Sequence, residues 1–414
     1  MKLERCIYRV RDARFGPTTD LADGVLTINK EELAARLNAE GFFTSVEISI
    51  ARPGEAVRII HVMDAVEPRA KPVGSPYPGA LGPMVVAGQG MTHVLDGLAI
   101  LQTGTRQGIQ EGVIDMSGPG AEYGVFSRTI NVVLQCAPPP DAPSLAFDQA
   151  IRTSGLLAAQ YLAEAARDLT PDSVETFTVD PRDVDPALPR VVYICHLQSQ
   201  GVLRDTFVYG ENVRALLPTI LHPNEVLDGA IVSSNYIIAC QKNPTWLHAN
   251  NPVVRELCAR HGRELNFAGV IIANEHSTLR EKSRSARFAA KLAAQAGASG
   301  VVMTQEGGGH ADTDLMLCCA ECEKLGMQTV MLINEIAGPQ GDQPSLVDTT
   351  PWATAVVSTG NNDEIVDLPP MPCVLGGDTI DGVGPAAAGF KTALGRIYTA
   401  TNQFGATAMS AREQ

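Results

Sequence analysis

Cys240 is the residue whose type and setting could most readily do chemistry. It stands where an apolar segment, residues 230–239, meets a run of amide, hydroxyl and imidazole side chains. A cysteine thiolate is a nucleophile, and such neighbours can move the protons that its reactions require. A lone cysteine is more often a small, inert, buried side chain, and the pattern alone favours that second interpretation. The polar residues nearest to it in sequence include Asn235, Gln241, Asn243 and His248.

A second group of cysteines is less promising. Cys319 and Cys322 form a CxxC pair, preceded by Cys318, and such a pair can hold a metal or do redox chemistry. A structural zinc site needs a second pair of ligands, which the neighbouring sequence does not offer. The spacing falls inside a predicted helix, so core packing is favoured. The histidines show no HExxH spacing, and no metal is expected.

Two glycine-rich stretches have alternative interpretations. Glu306 begins the run Glu-Gly-Gly-Gly after a predicted strand, where backbone N–H groups could bind a phosphate or a carboxylate. A tight strand-to-helix turn explains the same run equally well. The stretch 79–90 matches neither a Walker loop nor a strand-led GxGxxG, which favours plain loop geometry, and no nucleotide is expected.

The elements that must position these residues are clearest in the last 150 residues. Short apolar, β-branched runs alternate there with amphipathic stretches, which indicates a parallel sheet covered on both faces. We therefore expect a doubly wound α/β unit over about 262–370, with ligands binding beyond the carboxyl ends of its strands. The predicted strands are 267–273, 299–304, 329–333 and 354–359, the helices 278–296 and 312–325, and the segments leaving the strands 274–276, 305–310, 334–335 and 360–363.

The N-terminal part predicts a different architecture. The runs 46–50 and 57–63 alternate in polarity and are separated by Gly and Pro, which predicts a mostly antiparallel, loop-rich β domain. Next come a strong helix over 146–169, a buried strand at 190–195, a helix-like run from 211 and an extended segment over 230–239. The fold class expected is α/β, with an N-terminal β-rich domain and a C-terminal doubly wound, mostly parallel sheet. The predicted divisions are 1–145, 146–261 and 262–414.

Composition excludes several classes of protein. A chain of 414 residues suggests more than one domain, and its formal charge of −14 argues against nucleic acid or an anionic membrane as a partner. No run of 18 apolar residues occurs, and the first residues lack the apolar stretch of a signal peptide. Nine cysteines in so long a chain do not indicate a disulfide scaffold. A cytoplasmic protein with reduced thiols is expected.

The residues around Cys240 resemble a known family. From about residue 205 to 377 the chain is similar to the component B proprotein subunit of the glycine, sarcosine and betaine reductases, and more distantly to the proline reductase proprotein. The resemblance implies an oxidoreductase subunit, a reductive deaminase of the disulfide-acceptor class. The segments that carry it are 224–245, 248–252, 260–262, 265–266 and 368–371.

The same resemblance implies a role for Cys240. Such proproteins cut themselves before a cysteine, here between Ala239 and Cys240, through a thioester and a dehydroalanine that hydrolyses to a pyruvoyl group. This cofactor would bind a small amine or amino-acid substrate as an imine. A selenocysteine or cysteine on a second component B-type subunit would then cleave the C–N bond, which makes a hetero-oligomer expected. The residues expected to bind substrate or assist processing are Asn235, Gln241, Asn243, His248 and Glu306.

Two other functions remain open. In the first, the chain is an uncleaved, non-catalytic subunit that binds partners in such a complex acting on another substrate, and Cys240 keeps its thiol. In the second, the C-terminal fold serves a nucleotide-dependent oxidoreductase, although the glycine fingerprint of that class is missing.

Overall fold

The computed structural model describes residues 1–104, 112–199, 206–233, 243–407 and 409–411, and it confirms the predicted α/β class. The helices are α1 (Lys30–Leu37), α2 (Ser144–Ala163), α3 (Pro223–Leu227), α4 (Thr245–Ala249), α5 (Pro252–Arg260), α6 (Leu279–Gln295) and α7 (His310–Lys324). The strands are β1 (Leu3–Arg9), β2 (Asp12–Phe15), β3 (Asp20–Ala22), β4 (Val25–Ile28), β5 (Ser45–Ala51), β6 (Val57–Ile59), β7 (Val62–Val66), β8 (Arg69–Ala70), β9 (Gly90–Asp96), β10 (Leu98–Thr103), β11 (Ile114–Asp115), β12 (Ile130–Ala137), β13 (Ser173–Phe177), β14 (Arg190–Leu197), β15 (Phe207–Val208), β16 (Glu211–Asn212), β17 (Thr219–Leu221), β18 (Ile231–Val232), β19 (Asn266–Asn274), β20 (Gly300–Thr304), β21 (Gln328–Glu335), β22 (Val356–Asn361), β23 (Ile365–Leu368), β24 (Cys373–Leu375), β25 (Thr379–Ile380), β26 (Gly384–Pro385), β27 (Phe390–Ala393) and β28 (Ser410–Ala411).

The largest sheet has seven strands in the order β17-β19-β14-β20-β21-β22-β28. Its five inner strands are parallel to one another, and the two edge strands run antiparallel to them. The inner strands are apolar along most of their length because both faces are covered. β14 precedes the predicted α/β unit in sequence, yet it lies inside this sheet between β19 and β20.

Each face of this sheet packs against its own helices. On one face, Ile194 and Ile271 share a core with α6 and α7. On the other, Tyr193 and Ile272 share a core with α3, α4 and α5. Adjacent strand residues point to opposite faces, so each apolar strand supplies both cores. The core around α7 includes all three clustered cysteines, Cys318, Cys319 and Cys322.

The N-terminal sheets are mixed. As predicted, most of their pairings are antiparallel, but β1 pairs parallel with β9, β10 with β12, and β2 with β4. An alternation of polar and apolar residues indicates a strand with one covered face. It does not indicate whether the neighbouring strand runs parallel or antiparallel to it. The run 57–63 is also broken in two, because His61 has a φ of 55° and separates β6 from β7.

The segment around residue 211 corrects one expectation. It was predicted to be helix-like, but it forms β16 and a single 3₁₀ turn, Val213–Ala215. Asn212 caps this turn and Leu216 is already extended, ahead of Pro218. A single turn is too short to be stable as an independent helix. The residue directly before a proline, here Leu217, is also disfavoured in helical geometry. Of the predicted extended segment 230–239, the structure describes β18 and its flanks as far as residue 233.

The long helices agree with the sequence. The stretches predicted at 146–169, 278–296 and 312–325 correspond to α2, α6 and α7. Within the described residues, no helix is both long enough and apolar enough to cross a membrane.

Candidate functional site

Buried polar side chains gather where the parallel strands end. Gln198 follows β14, Glu275 follows β19, Glu306 follows β20 and Asn334 lies at the end of β21, and each is at most 5% exposed. Parallel strands place their carboxyl ends at one edge of the sheet, so these side chains share that edge. Burial of so many polar groups is costly unless they are paired or used for function.

His248 and Glu306 form the centre of this cluster. The Nε2 atom of His248 lies 3.1 Å from Oε1 of Glu306. The other carboxylate oxygen of Glu306 accepts hydrogen bonds from the backbone N–H of Gln198 at 2.8 Å and from the hydroxyl of Thr206 at 2.6 Å. Three donors therefore surround one buried carboxyl group, an arrangement that stabilises its ionised form.

The position of the proton on His248 follows from this contact. Since the carboxylate accepts, Nε2 donates, and in the neutral ring Nδ1 keeps its lone pair. Nδ1 is buried and has no hydrogen-bond partner among the described residues. Phe404 packs edge-on against the imidazole, with ring centroids 5.3 Å apart. A histidine oriented by a carboxylate, with one free nitrogen, can take up and release a proton.

Glu275 lies directly beside Glu306 and is fully buried. Its Oε1 accepts the backbone N–H of Glu306 at 3.0 Å, whereas Oε2 has no partner among the described residues. Burial raises the pKa of the Glu275 carboxyl well above its usual value, and the nearby Asp314 and Glu306 act in the same direction. The raised pKa favours the neutral form of Glu275, which suits this group to donate a proton.

A chain of amides extends the cluster along the sheet edge. The side-chain amide of Gln403 donates to the Asn334 side chain at 2.9 Å and to the carbonyl of Gly307. Asn402, the residue before Gln403, donates from its side chain to the Asn243 side chain at 2.7 Å. The Nδ2 atom of Asn243 and Oε1 of Gln403 are buried without a partner among the described residues. These groups can bind a polar ligand.

Both residues that flank segment 234–242 are tied to this region. On one side, the backbone N–H of Ser233 donates to the Thr245 hydroxyl at 2.9 Å, and that hydroxyl donates to Asp64 at 2.6 Å. The backbone N–H of Thr245 also donates to Asp64, at 3.0 Å. On the other side, Asn243 is held by Asn402. The segment that contains Cys240 thus begins and ends beside the cluster. We call the whole set the carboxyl-edge network: Asp64, Gln198, Ser233, Asn243, Thr245, His248, Glu275, Gln305, Glu306, Asn334, Asn402 and Gln403.

The predicted site residues fall into two groups. The structure brings Asn243, His248 and Glu306 into the carboxyl-edge network. Ala239 and Cys240, together with Asn235 and Gln241, lie outside the described residues.

Sequence reasoning missed several members of the network. Glu275 lies in a segment predicted to follow the carboxyl end of a strand, and this position could have indicated that it belongs to the site. Asn402 and Gln403 follow the last predicted strand by about forty residues, and Asp64 lies within β7. Nothing in their local pattern indicates the site. Within the described parts of the chain, no cluster of three or more His, Cys, Asp or Glu side chains could hold a metal ion.

Comparison with known proteins identifies the family. Residues 1–409 match the family described as glycine/sarcosine/betaine reductase component B subunits. The chain belongs to this family. It is 42% identical over 426 residues, and over the full length of both proteins, to the glycine reductase complex component B subunits alpha and beta of Peptoclostridium acidaminophilum. The sarcosine reductase complex component B subunit alpha of that organism is 40% identical, covering 94% of this chain and 92% of the relative. Its betaine reductase complex component B subunit alpha is 38% identical, covering 91% and 88%.

The family extends over more of the chain than the resemblance at 205–377 indicated. The more distant similarity to a proline reductase proprotein is also confirmed. The D-proline reductase proprotein of Acetoanaerobium sticklandii is 23% identical over 356 residues, which cover 80% of this chain and 54% of that protein. No solved structure matches the chain. The component B chain is thus a subunit of the oxidoreductase type.

Proposed function

We propose that this component B chain is a proprotein that cuts itself between Ala239 and Cys240, and that the new N-terminal pyruvoyl group binds a substrate amine covalently. A selenol or thiol on a partner subunit then cleaves the C–N bond reductively, which places the complex in the disulfide-acceptor class of oxidoreductases. One observation carries the proposal. Ser233 and Asn243, on the two sides of segment 234–242, are hydrogen-bonded to Thr245 and Asn402, and Thr245 lies one helical turn before His248, whose Nε2 contacts Glu306.

The strand order supports a ligand site at this position. Counted along the chain, the five parallel strands β14, β19, β20, β21 and β22 are arranged second-first-third-fourth-fifth. We infer a doubly wound sheet whose topological switch point lies between β14 and β20, where ligands bind in such folds. Gln198 and Glu306 follow these two strands, and the hydrogen bond between them spans that crevice.

The names of the relatives support cleavage of this polypeptide into two chains. The glycine reductase relative, which aligns along the full length of this chain, is named as component B subunits alpha and beta, two subunits for one polypeptide. The proline reductase relative is named as a proprotein. Both names agree with a polypeptide that is divided after synthesis.

The residues of the network fit a carbonyl group that receives an amine. A pyruvoyl group supplies a ketone carbonyl that an amine can attack without a metal or nucleotide. The free Nδ1 of His248 can take a proton from the amine nitrogen, and Glu306 stabilises the resulting imidazolium. Glu275 can return a proton from its buried carboxyl group, and Nδ2 of Asn243, which has no partner among the described residues, can donate a hydrogen bond to a carbonyl oxygen.

The charge of the network favours an amine as substrate. Beside the buried acid Glu275 it contains the carboxyl groups of Asp64 and Glu306, and it contains no lysine or arginine. The neighbouring Lys282 already contacts the carboxylate of Asp314. Such a cluster attracts a cationic ammonium group and repels an anion. A quaternary amine has no proton to lose and cannot add to a ketone in this way, so primary and secondary amines are the expected class.

Borohydride trapping tests the proposal. The protein is incubated with radiolabelled glycine, sarcosine or betaine, reduced with borohydride, denatured and separated by mass. We expect label from a primary or secondary amine on the fragment that begins at residue 240, and none from betaine. Cys240→Ala should retain no label. If the wild-type protein retains none of a broad panel of amines, the proposed covalent binding is wrong.

A further inference from the structure

Exposed apolar side chains collect along one edge of the seven-stranded sheet. β17 is the edge strand, and Ile220 within it and Leu217 just before it are 40% and 57% exposed. Met84 lines a groove of about 490 Å³ with Leu216 and Leu221 on one side of this strand. On the other side, α6 packs against β17 and exposes Leu279. Several exposed apolar side chains around one edge strand are typical of an interaction surface.

The outer face of α6 adds positive charge to this surface. Arg280, Arg284, Arg287 and Lys291 follow at intervals of four, three and four residues, so they form one stripe along the helix. They line a groove of about 790 Å³ with Leu279 and Phe288, and no acidic side chain lines it. The nearest carboxylate to this stripe among the described ion pairs is Glu321, 3.7 Å from Arg287. The stripe contrasts with the chain's formal charge of −14.

This surface borders the carboxyl-edge network. Asn274, one residue before Glu275, donates from its side chain to the carbonyl of Val213 at 2.9 Å. Arg214 donates to the carbonyl of Ser199, at the end of β14, at 3.1 Å. α6 begins four residues after Glu275. A protein bound along β17 and α6 would therefore lie next to the carboxyl edge of the sheet.

We propose that the β17–α6 surface, formed by Met84, Leu217, Ile220 and the outer face of α6, docks the partner subunit that carries the selenol or thiol nucleophile. The partner offers an acidic surface around apolar side chains. This inference rests on the proposed function, since only that function requires a second subunit to reach the carboxyl edge. The basic stripe supports an acidic protein as the partner, because the chain's formal charge of −14 disfavours nucleic acid and anionic membranes.

Charge reversal tests this docking surface. The complex is purified from its source cells through a tag on this chain, and its subunit with an alkylatable selenol or thiol is isolated as the probe. Its Kd is measured for the wild-type chain, for Arg284→Glu/Arg287→Glu and for Leu279→Ser. The matched control is Arg11→Glu/Arg36→Glu, which reverses two exposed cations elsewhere. We expect the first double variant to raise the Kd at least about tenfold and to weaken its salt dependence, Leu279→Ser to raise it severalfold, and the control to leave it unchanged.

Several results would overturn the docking proposal. One is a Kd of the charge-reversed chain equal to that of the wild-type chain, and another is the absence of a selenol- or thiol-bearing subunit from the complex. A third is charge reversal that weakens binding to phosphatidylglycerol vesicles, measured in parallel, but not binding to the subunit. Loss of a homodimer in light scattering without a change in Kd would instead assign the surface to a second copy. Cleavage and borohydride trapping in the same samples separate the two ideas. If the wild-type chain is cut and traps amine but reversal does not change the Kd, only the docking proposal fails.

Discussion

His248 Nε2 and Glu306 Oε1 lie 3.1 Å apart, although 58 residues separate them in the chain. The contact joins the turn after β20 to α4, the short helix that follows segment 234–242. It fixes which nitrogen of the imidazole donates and leaves Nδ1 as the proton acceptor. The proposed chemistry depends on this relationship more than on any other in the described structure.

Glu306→Gln should remove the carboxyl group that stabilises a protonated His248, while keeping the shape of the side chain. Glu306 accepts three hydrogen bonds, and the N–H groups of the new amide would face at least one of these donors. His248 would also lose the neighbouring negative charge that stabilises its protonated form. We expect amine-dependent reduction to fall by about 100-fold or more. The comparison variant is Glu335→Gln, another buried carboxyl group at this sheet edge, which accepts two serine hydroxyls that can reorient. Similar rates for both variants would argue against a role for Glu306.

Thr245→Val should loosen the anchor of the segment that contains Cys240. The hydroxyl accepts from Ser233 and donates to Asp64, and valine leaves both groups buried without that partner. We expect the free energy of unfolding to fall by about 2 kcal/mol and the 240–414 fragment to form more slowly. Thr245→Ser keeps the hydroxyl and should restore the rate of cleavage. Denaturant unfolding and a time course of fragment mass measure both effects.

Glu275→Gln should change how stability depends on pH. Because the folded-state pKa of Glu275 is raised, the folded protein holds a proton that the unfolded chain releases above about pH 4.5. The resulting stability is fully present below that pH and is lost as the pH rises through the folded-state pKa. Glutamine mimics the neutral acid at every pH, so we expect the variant to gain stability relative to wild type as the pH rises.

Urea unfolding at several pH values between 5 and 9 measures this difference. Asp314, whose pKa is raised to about 6, titrates with the same sign but is present in both proteins. A constant difference between the two proteins across the range would show that Glu275 is ionised throughout.

The long elements of the fold could be predicted, because they depend on local patterns. α6 has an apolar stripe and a Thr278 cap, and strands such as β19 are continuous apolar runs. Which strands of the N-terminal sheets pair parallel could not be predicted, since pairing such as that of β1 with β9 is set by contacts between distant segments. The break at His61 likewise depends on which sheet each half joins.

The site could be predicted only in part. His248 and Glu306 lie in segments whose position and resemblance point to function. Asn402 and Asp64 reach the network from other parts of the chain, and their neighbours carry no motif. A sequence shows which residues follow a strand, but it does not show which distant amides meet them in space.

Gly79→Ala should destabilise the fold strongly. Gly79 has a φ of 79°, and a Cβ there would lie 1.9 Å from the carbonyl oxygen of Tyr209. The backbone of the loop packs directly against the backbone of Tyr209 at this point. This close approach agrees with the interpretation of the stretch 79–90 as a loop whose glycines are needed for its geometry. We expect a loss of about 3 kcal/mol or more in the free energy of unfolding.

Gly41→Ala serves as the control for this substitution. Gly41 also has a positive φ, of 68°, but a Cβ there would meet nothing within 4 Å. It should cost only about 1 kcal/mol, the penalty for the backbone conformation itself. Equal losses in the two variants would show that close approach to Tyr209 is unimportant.

The mass of the active protein under denaturing conditions shows whether the chain is cut before Cys240. We expect two polypeptides, residues 1–239 and a 240–414 chain that is blocked at its N-terminus and lacks the sulfur of Cys240. Cys240→Ala should give one chain of 414 residues. If fresh, fully active wild-type protein is a single uncut chain of 414 residues, the proposed self-cleavage and pyruvoyl chemistry are wrong.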